Sequence, residues 1–301
     1  MKVLITGATG LIGKEIVKRC HKNNIVVNFL TTSQSKISSD KLYQGYYWNP
    51  KINQIDAGCF DGVDTIIHLA GATVSKRWTP RYKKEILSSR INTTQLLINT
   101  LIKRDHQVKH VISASAVGIY PDSLSNYYDE ANSDGDQTFL SHVVKQWESA
   151  VDGFSALHIK ITKIRIGLVL SDHGGALPKI IKPIKFGLGA AFGSGEHWQS
   201  WIHISDLARL FMYVLKFHLS GVFNAVAPNP VTNLEFTKSC AQVLDRPLFL
   251  PNIPRWFMKL VLGNMHVLLF LSQRVSSKKI EDAGFEFKFH HLKPALEDLL
   301  K

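Results

Sequence analysis

Val3-Leu4-Ile5-Thr6-Gly7-Ala8-Thr9-Gly10-Leu11-Ile12-Gly13, residues 3–13, is the stretch on which the fold turns. A strand-forming run enters a Gly-x-x-Gly-x-x-Gly turn, which opens into Leu11–His21, where apolar residues recur at helical spacing. Each glycine has a separate reason: a tight turn, close approach of backbone to a pyrophosphate, and close packing of helix on strand. Phosphates then meet free amides and the positive end of the helix dipole. Gly7, Thr9, Gly10, Leu11, Ile12 and Gly13 are therefore the first candidate dinucleotide-binding residues.

Further apolar runs of strand length follow at Ile25–Thr31, Thr65–Leu69, His110–Ala114 and Leu157–Ile166. Between them Thr79–Lys103 and Gln137–Val151 carry helical periodicity. Strands alternating with helices at this spacing predict right-handed βαβ units, an α/β fold with a Rossmann-type doubly wound parallel sheet. Val63-Asp64-Thr65-Ile66-Ile67-His68-Leu69-Ala70 is nearly continuously apolar, as a central strand covered on both faces should be. Beyond residue 167 the pattern turns irregular and rich in Gly and Pro. The division expected is a dinucleotide-binding core over 1–166 and a smaller substrate and C-terminal lobe over 167–301, from which later segments are free to return to the core.

The formal charge is +12, but 18 basic against 13 acidic residues in the first half and 18 against 11 in the second spread the excess evenly. With no run of five Lys/Arg and no zinc-finger signature, nucleic acid is not an expected partner. Cys20, Cys59 and Cys240 are far apart, which argues against disulfides or a zinc ribbon and for a reducing cytoplasm. No metal site is expected. Trp256 to Leu271, the most apolar stretch, is broken by Lys259, Asn264 and His266 and too short to span a bilayer. It reads as a buried or docking helix, with no membrane partner expected. A small-molecule substrate is expected, and a homodimer is compatible with the chain.

The end of the second strand bears on which dinucleotide is bound. A carboxylate there would hold ribose hydroxyls and repel a 2′-phosphate. The chain instead reads Leu30-Thr31-Thr32-Ser33-Gln34-Ser35-Lys36, three hydroxyls in its first turn and a cation, which favours NADP(H) over NAD(H). His68-Leu69-Ala70-Gly71, with small residues after a strand, lets an adenosine lie against backbone.

Glycine spacing, His68-Leu69-Ala70-Gly71 and the Ser113-Ala114-Ser115 strand end together resemble the extended short-chain dehydrogenase/reductases. Ser89-Arg90-Ile91-Asn92-Thr93-Thr94, Gly118-Ile119-Tyr120, Ser200-Trp201-Ile202-His203-Ile204 and Ser272-Gln273-Arg274-Val275 narrow the resemblance to the atypical YfcH-like epimerase family proteins with a small C-terminal domain. The resemblance implies an NADP(H)-binding fold. By position it implies Thr31 and Thr32 at the adenosine ribose and its phosphate, and Leu69 and Ala70 along the cofactor, beside the Gly71 already read from the strand end. It also implies Glu85 and Arg90 from the following helix, and Val169 toward the nicotinamide. Thr32 replaces an arginine common in the family, and the Arg90 guanidinium is chemically suited to compensate.

The same resemblance implies a Ser, Tyr, Lys relay, with Tyr and Lys four apart on one helix. Here Leu140 and Val144 take those places, and neither transfers a proton. The only Tyr-x-x-x-Lys string, Tyr47 to Lys51, contains Pro50 and reads as chance. Ser115 remains as the candidate that polarises a substrate oxygen, with Tyr120 as a phenol supplied from the loop. Asp206 is expected to cap the helix Leu207–Lys216. The function expected is an NADP(H)-dependent oxidoreductase or nucleotide-sugar-type epimerase acting on a carbonyl or alcohol. Its alternative is a cofactor-binding regulator or sensor with little or no turnover.

Overall fold

β1 (Lys2–Thr6), β2 (Val26–Thr31) and β3 (Tyr43–Asn49) form one half of the sheet; β4 (Thr65–His68), β5 (His110–Ala116), β6 (Lys160–Ile166) and β7 (Gly221–Ala225) form the other. The computed structural model describes residues 1–132 and 135–301. These seven strands are parallel and lie in the order β7-β6-β5-β4-β1-β2-β3 within a nine-stranded sheet. Two short antiparallel pieces, Ser39–Asp40 and Gln54–Ile55, both pair with β3. The order reverses between β1 and β4, and ligands of open α/β sheets bind at the carboxyl ends beside such a reversal.

β4 is buried along its whole length, as its apolar run requires. α1 (Leu11–Lys22) packs against α5 (Ile204–Phe217) on one face of the sheet; α2 (Pro80–Ile102) packs against α3 (Phe139–Asp152) on the other. Thr79 caps α2 by accepting the Tyr82 N–H, and Thr138 caps α3 by accepting the Ser141 N–H. α3 buries Ser141, Val143, Val144, Trp147, Glu148 and Val151, an apolar stripe at helical spacing that carries one hydroxyl and one carboxylate.

β7 and α5 return to the core from beyond residue 167. The rest of that half builds a second cluster, in which α4 (Leu177–Lys185) and α6 (Asn233–Val243) pack with the terminal helix Leu292–Leu300. Asp206 ties it to the core. Its buried carboxylate accepts the N–H groups of Lys288 and Phe289 and pairs with Arg209 at 2.7 Å. This corrects the capping role expected of Asp206. α5 begins three residues earlier than expected, and the His203 ring caps it by accepting the Ser205 N–H at 3.1 Å. Of the two expectations for the apolar stretch from Trp256, a buried or a docking helix, the structure excludes the first over α7 (Arg255–Leu262), which buries none of its residues.

Candidate functional site

At the reversal, β1 delivers Gly7 and β4 delivers Leu69-Ala70-Gly71 to the same edge of the sheet. Gly7 sits in the left-handed region at φ +72°, and a β-carbon there would stand 3.3 Å from the Leu69 backbone. Gly13 is required by proximity: its β-carbon would strike the Gly7 carbonyl oxygen and come within 2.7 and 2.9 Å of Ala8 backbone carbons. The first ladder bond of α1 runs from the Lys14 N–H to the Gly10 carbonyl at 3.0 Å, leaving the amides of Leu11, Ile12 and Gly13 without helical partners. Gly10 offers no side-chain cap, and the first turn contains no acidic residue. Thr9 and Gly10 are exposed beside them. This end of α1 is open and positive, suited to a pyrophosphate.

A buried network fixes the opposing loop. Thr6 Oγ1 accepts the amides of Leu69 and Ala70 at 3.0 and 3.1 Å, so its hydrogen goes to His68 Nδ1 at 2.8 Å. His68 is thereby the Nε2–H tautomer, donating to Thr94 Oγ1 at 3.1 Å, which in turn donates to the Arg90 carbonyl. Burial first, and then the Arg90 charge, pushes the His68 pKa down to about 4. His110, bonded to Thr162, is pushed to about 4 by burial and by the nearby His218 and Lys160.

Both histidines stay neutral in the fold while the unfolded chain takes protons near pH 6.5. Their stabilisation is complete above 6.5 and is lost as pH falls from 6.5 towards 4. Between pH 6.5 and 5 we expect a loss of about 1.4 kcal/mol per pH unit for each histidine. Denaturant midpoints measured across that window test this, and a flat profile contradicts it.

Arg90 reaches from α2 under Gly71. Its Nη1 donates to the carbonyls of Ala72 at 3.2 Å and Ile86 at 2.8 Å, and the guanidinium lies 4.9 Å over the Trp147 ring. Burial lowers its pKa to about 10, which leaves it charged at neutral pH. No carboxylate among the described residues pairs with it, Glu85 and Asp105 included. Glu85 is exposed on the same helix.

At the end of β2, Thr31 is buried, and its Oγ1 accepts the Ser33 N–H at 3.2 Å; Thr32 and Lys36 are exposed. Val169 is half-buried on the short strand Leu168–Leu170, which pairs with Trp201–His203. The loop that follows folds over α1, where a β-carbon on Gly175 would lie 3.3 Å from Leu11. Between them is a cavity of about 380 Å³ lined by Leu11, Lys14, Ser171, Asp172 and Ser205 among others. The structure thus gathers the glycine turn, Leu69–Gly71, Arg90 and Val169 around the carboxyl ends of β1 and β4. Glu85 points to solvent instead.

The chemistry-bearing residues are arranged differently from a standard relay. Ser115, Arg165 and Asn224 occupy one lateral row across β5, β6 and β7. Ser115 Oγ donates to Glu148 Oε1 at 2.5 Å, and Glu148 forms a two-pronged pair with Arg165 at 2.9 and 3.0 Å. Arg165 Nη1 donates to the Tyr120 hydroxyl at 3.0 Å, and that hydroxyl donates to Asn224 Oδ1 at 2.7 Å. Ser115 and Tyr120 are both buried, and burial raises the Tyr120 pKa to about 12 against the opposing pull of Arg165. Burial alone would lower the Arg165 pKa; hydrogen bonding and charge from Glu148, then Tyr120, raise it instead. Leu140 and Val144 lie toward Gly118, 3.5 and 3.9 Å from where its β-carbon would stand. Sequence reading does not single out Arg165 or Asn224: the strand Lys160–Ile166 also carries Lys160, Thr162 and Lys163, so nothing local marks its arginine as buried.

Among the described residues no cluster of three His, Cys, Asp or Glu side chains is placed to hold a metal ion. Nor is any helix there long and apolar enough to cross a membrane.

The family described as "NAD dependent epimerase/dehydratase family" matches residues 3–225, and a "Domain of unknown function (DUF1731)" matches residues 253–299. An epimerase family protein of Staphylococcus aureus is 37% identical over 306 residues, covering 99% of this chain and 98% of its own. The crystal structure of the human epimerase family protein SDR39U1 (isoform 2) with NADPH superposes with a TM-score of 0.84 at 29% identity, covering 99% of each chain. A nucleoside-diphosphate sugar epimerase from Corynebacterium glutamicum gives 0.79 at 28% identity, covering all of this chain and 58% of that one.

Proposed function

The chain belongs to the NAD dependent epimerase/dehydratase family, and from that premise we propose that it binds NADP(H) at the β1/β4 reversal and serves an oxidoreductase or epimerase reaction on a carbonyl or alcohol. The observation that carries the binding is the open end of α1. Three unpartnered amides face a loop pinned by Thr6 and His68, with no carboxylate in the first turn. Preference for NADP(H) rests on Arg90, which has no acidic partner among the described residues, and on the absence of Asp or Glu from Thr31 to Ser39. NADPH bound to the human relative is in keeping with that preference. When bound, the dinucleotide supplies hydride transfer. The chain's part is to bind it, orient it and hold the loop beside it.

A second reading, binding with little or no turnover, draws on the closed Ser115–Glu148–Arg165–Tyr120–Asn224 network. Both candidate hydroxyls are committed inward there, and Leu140 and Val144 have no titratable group with which to transfer a proton. Titration calorimetry with NADPH and NADH tests the cofactor. Arg90→Ala should weaken NADPH by roughly 10- to 100-fold, the worth of one charge-assisted contact, and leave NADH nearly unchanged. Equal affinity for both dinucleotides in the unaltered protein contradicts the phosphate assignment. A screen of carbonyl compounds for NADPH oxidation, with Ser115→Ala and Tyr120→Phe alongside, separates the two readings: turnover supports the first, and tight binding with none supports the second.

A further inference from the structure

Two segments, residues 173–195 and 246–280, contain no Asp or Glu. They run together in space. Arg246 Nε donates to the Lys185 carbonyl, Ile253 exchanges backbone bonds with Ala191 and Gly193, and Asn252 Nδ2 donates to the Gly193 carbonyl. Large apolar side chains exposed on these two segments include Phe186, Phe249, Trp256, Phe257, Leu260 and Val261, with Trp256 at 68% and Leu260 at 74%. Of the nine Lys and Arg residues in the two segments, Lys179, Lys182, Lys185, Arg246, Arg255 and Lys259 stand in the same stretches of chain as these apolar side chains.

On α7 the apolar positions 256, 257, 260 and 261 fall within an arc of roughly 140° at 3.6 residues per turn. Lys259 and Arg255 lie together beyond one edge of that arc, and the partly buried Met258 and Leu262 face the protein. A soluble surface seldom leaves so much contiguous apolar area uncovered. A two-fold contact with a second copy would set like charge against like, with no carboxylate in either segment to relieve it.

We propose that this face docks on an anionic lipid surface, with α7 lying in the plane of the headgroups. Trp256, Phe257, Leu260 and Val261 enter the acyl boundary, while the flanking cations stay with the phosphates. The stretch is too short to span a bilayer, but lying on one requires no span.

The test is co-flotation of the full chain with vesicles of phosphatidylglycerol and phosphatidylcholine, against vesicles of phosphatidylcholine alone. The unaltered protein should float with the anionic vesicles, and added salt should release it. Trp256→Ser/Leu260→Ser should cut partitioning by about tenfold or more, with NADPH affinity unchanged as the check on folding. Failure to bind anionic vesicles, or binding that the double variant leaves intact, overturns the proposal. So does a concentration-dependent dimer in sedimentation that the same variant dissolves, since a second copy would then cover the face.

Discussion

Gly13→Ala should abolish measurable NADPH binding, with affinity reduced by about 100-fold or more and a thermal midpoint below that of the unaltered protein. A methyl group at this position meets backbone only, the Gly7 carbonyl oxygen and the Ala8 carbons. No side chain is there to swing aside. Either α1 tilts away from β1 or the Gly7–Gly10 turn opens, and both scatter the amides of Leu11, Ile12 and Gly13. Overpacking of this kind costs about 1–3 kcal/mol in a well-packed region, and the displaced phosphate contacts add to the loss in affinity. Calorimetry and thermal denaturation measure the two parts separately. Unchanged NADPH affinity in a folded Gly13→Ala protein would show that the turn does not hold the cofactor.

Glu148→Gln should destabilise the fold by about 3–5 kcal/mol, the range for stripping one partner from a buried ion pair. Side-chain exposure is 3% for Arg165 and 9% for Glu148, so water cannot replace what is removed. Ser115 and Tyr120 depend on the same pair through hydrogen bonds of 2.5 and 3.0 Å. The double variant Glu148→Gln/Arg165→Met should recover part of the loss, because an uncompensated charge is costlier than an apolar replacement. Denaturant unfolding of the single and double variants provides the comparison. A single-variant cost below about 1 kcal/mol would mean the network is dispensable, since exposed pairs are worth no more than that.

The glycine turn, β1, β2, β4 and the helices between them are legible because their signals are local: continuous apolar runs of strand length, as in the fully buried β4, or a 3.6-residue period, with the glycine turn marking the join. β3 was passed over. Its sequence, Tyr43-Gln44-Gly45-Tyr46-Tyr47-Trp48-Asn49, mixes polar and aromatic residues without clean alternation, and it is stabilised as a strand by pairing with β2. α7 was read from its composition as buried or docking; only the packing shows that it lies exposed.

The glycine turn at the sheet reversal is legible in the sequence because turn, strand and helix are contiguous there. The Ser115 network is not, because its members come from residues 115, 120, 148, 165 and 224 and meet only when β5, β6 and β7 are laid side by side. A single sequence shows that Leu140 and Val144 cannot move protons. It does not show that the remaining serine and tyrosine face inward.

Titration of the intact chain with NADPH, read by calorimetry, decides whether the β1/β4 reversal holds the dinucleotide. One saturable site per chain is expected, with tighter binding than NADH and loss in Gly13→Ala. A folded protein that takes up neither dinucleotide at millimolar concentration would contradict this expectation.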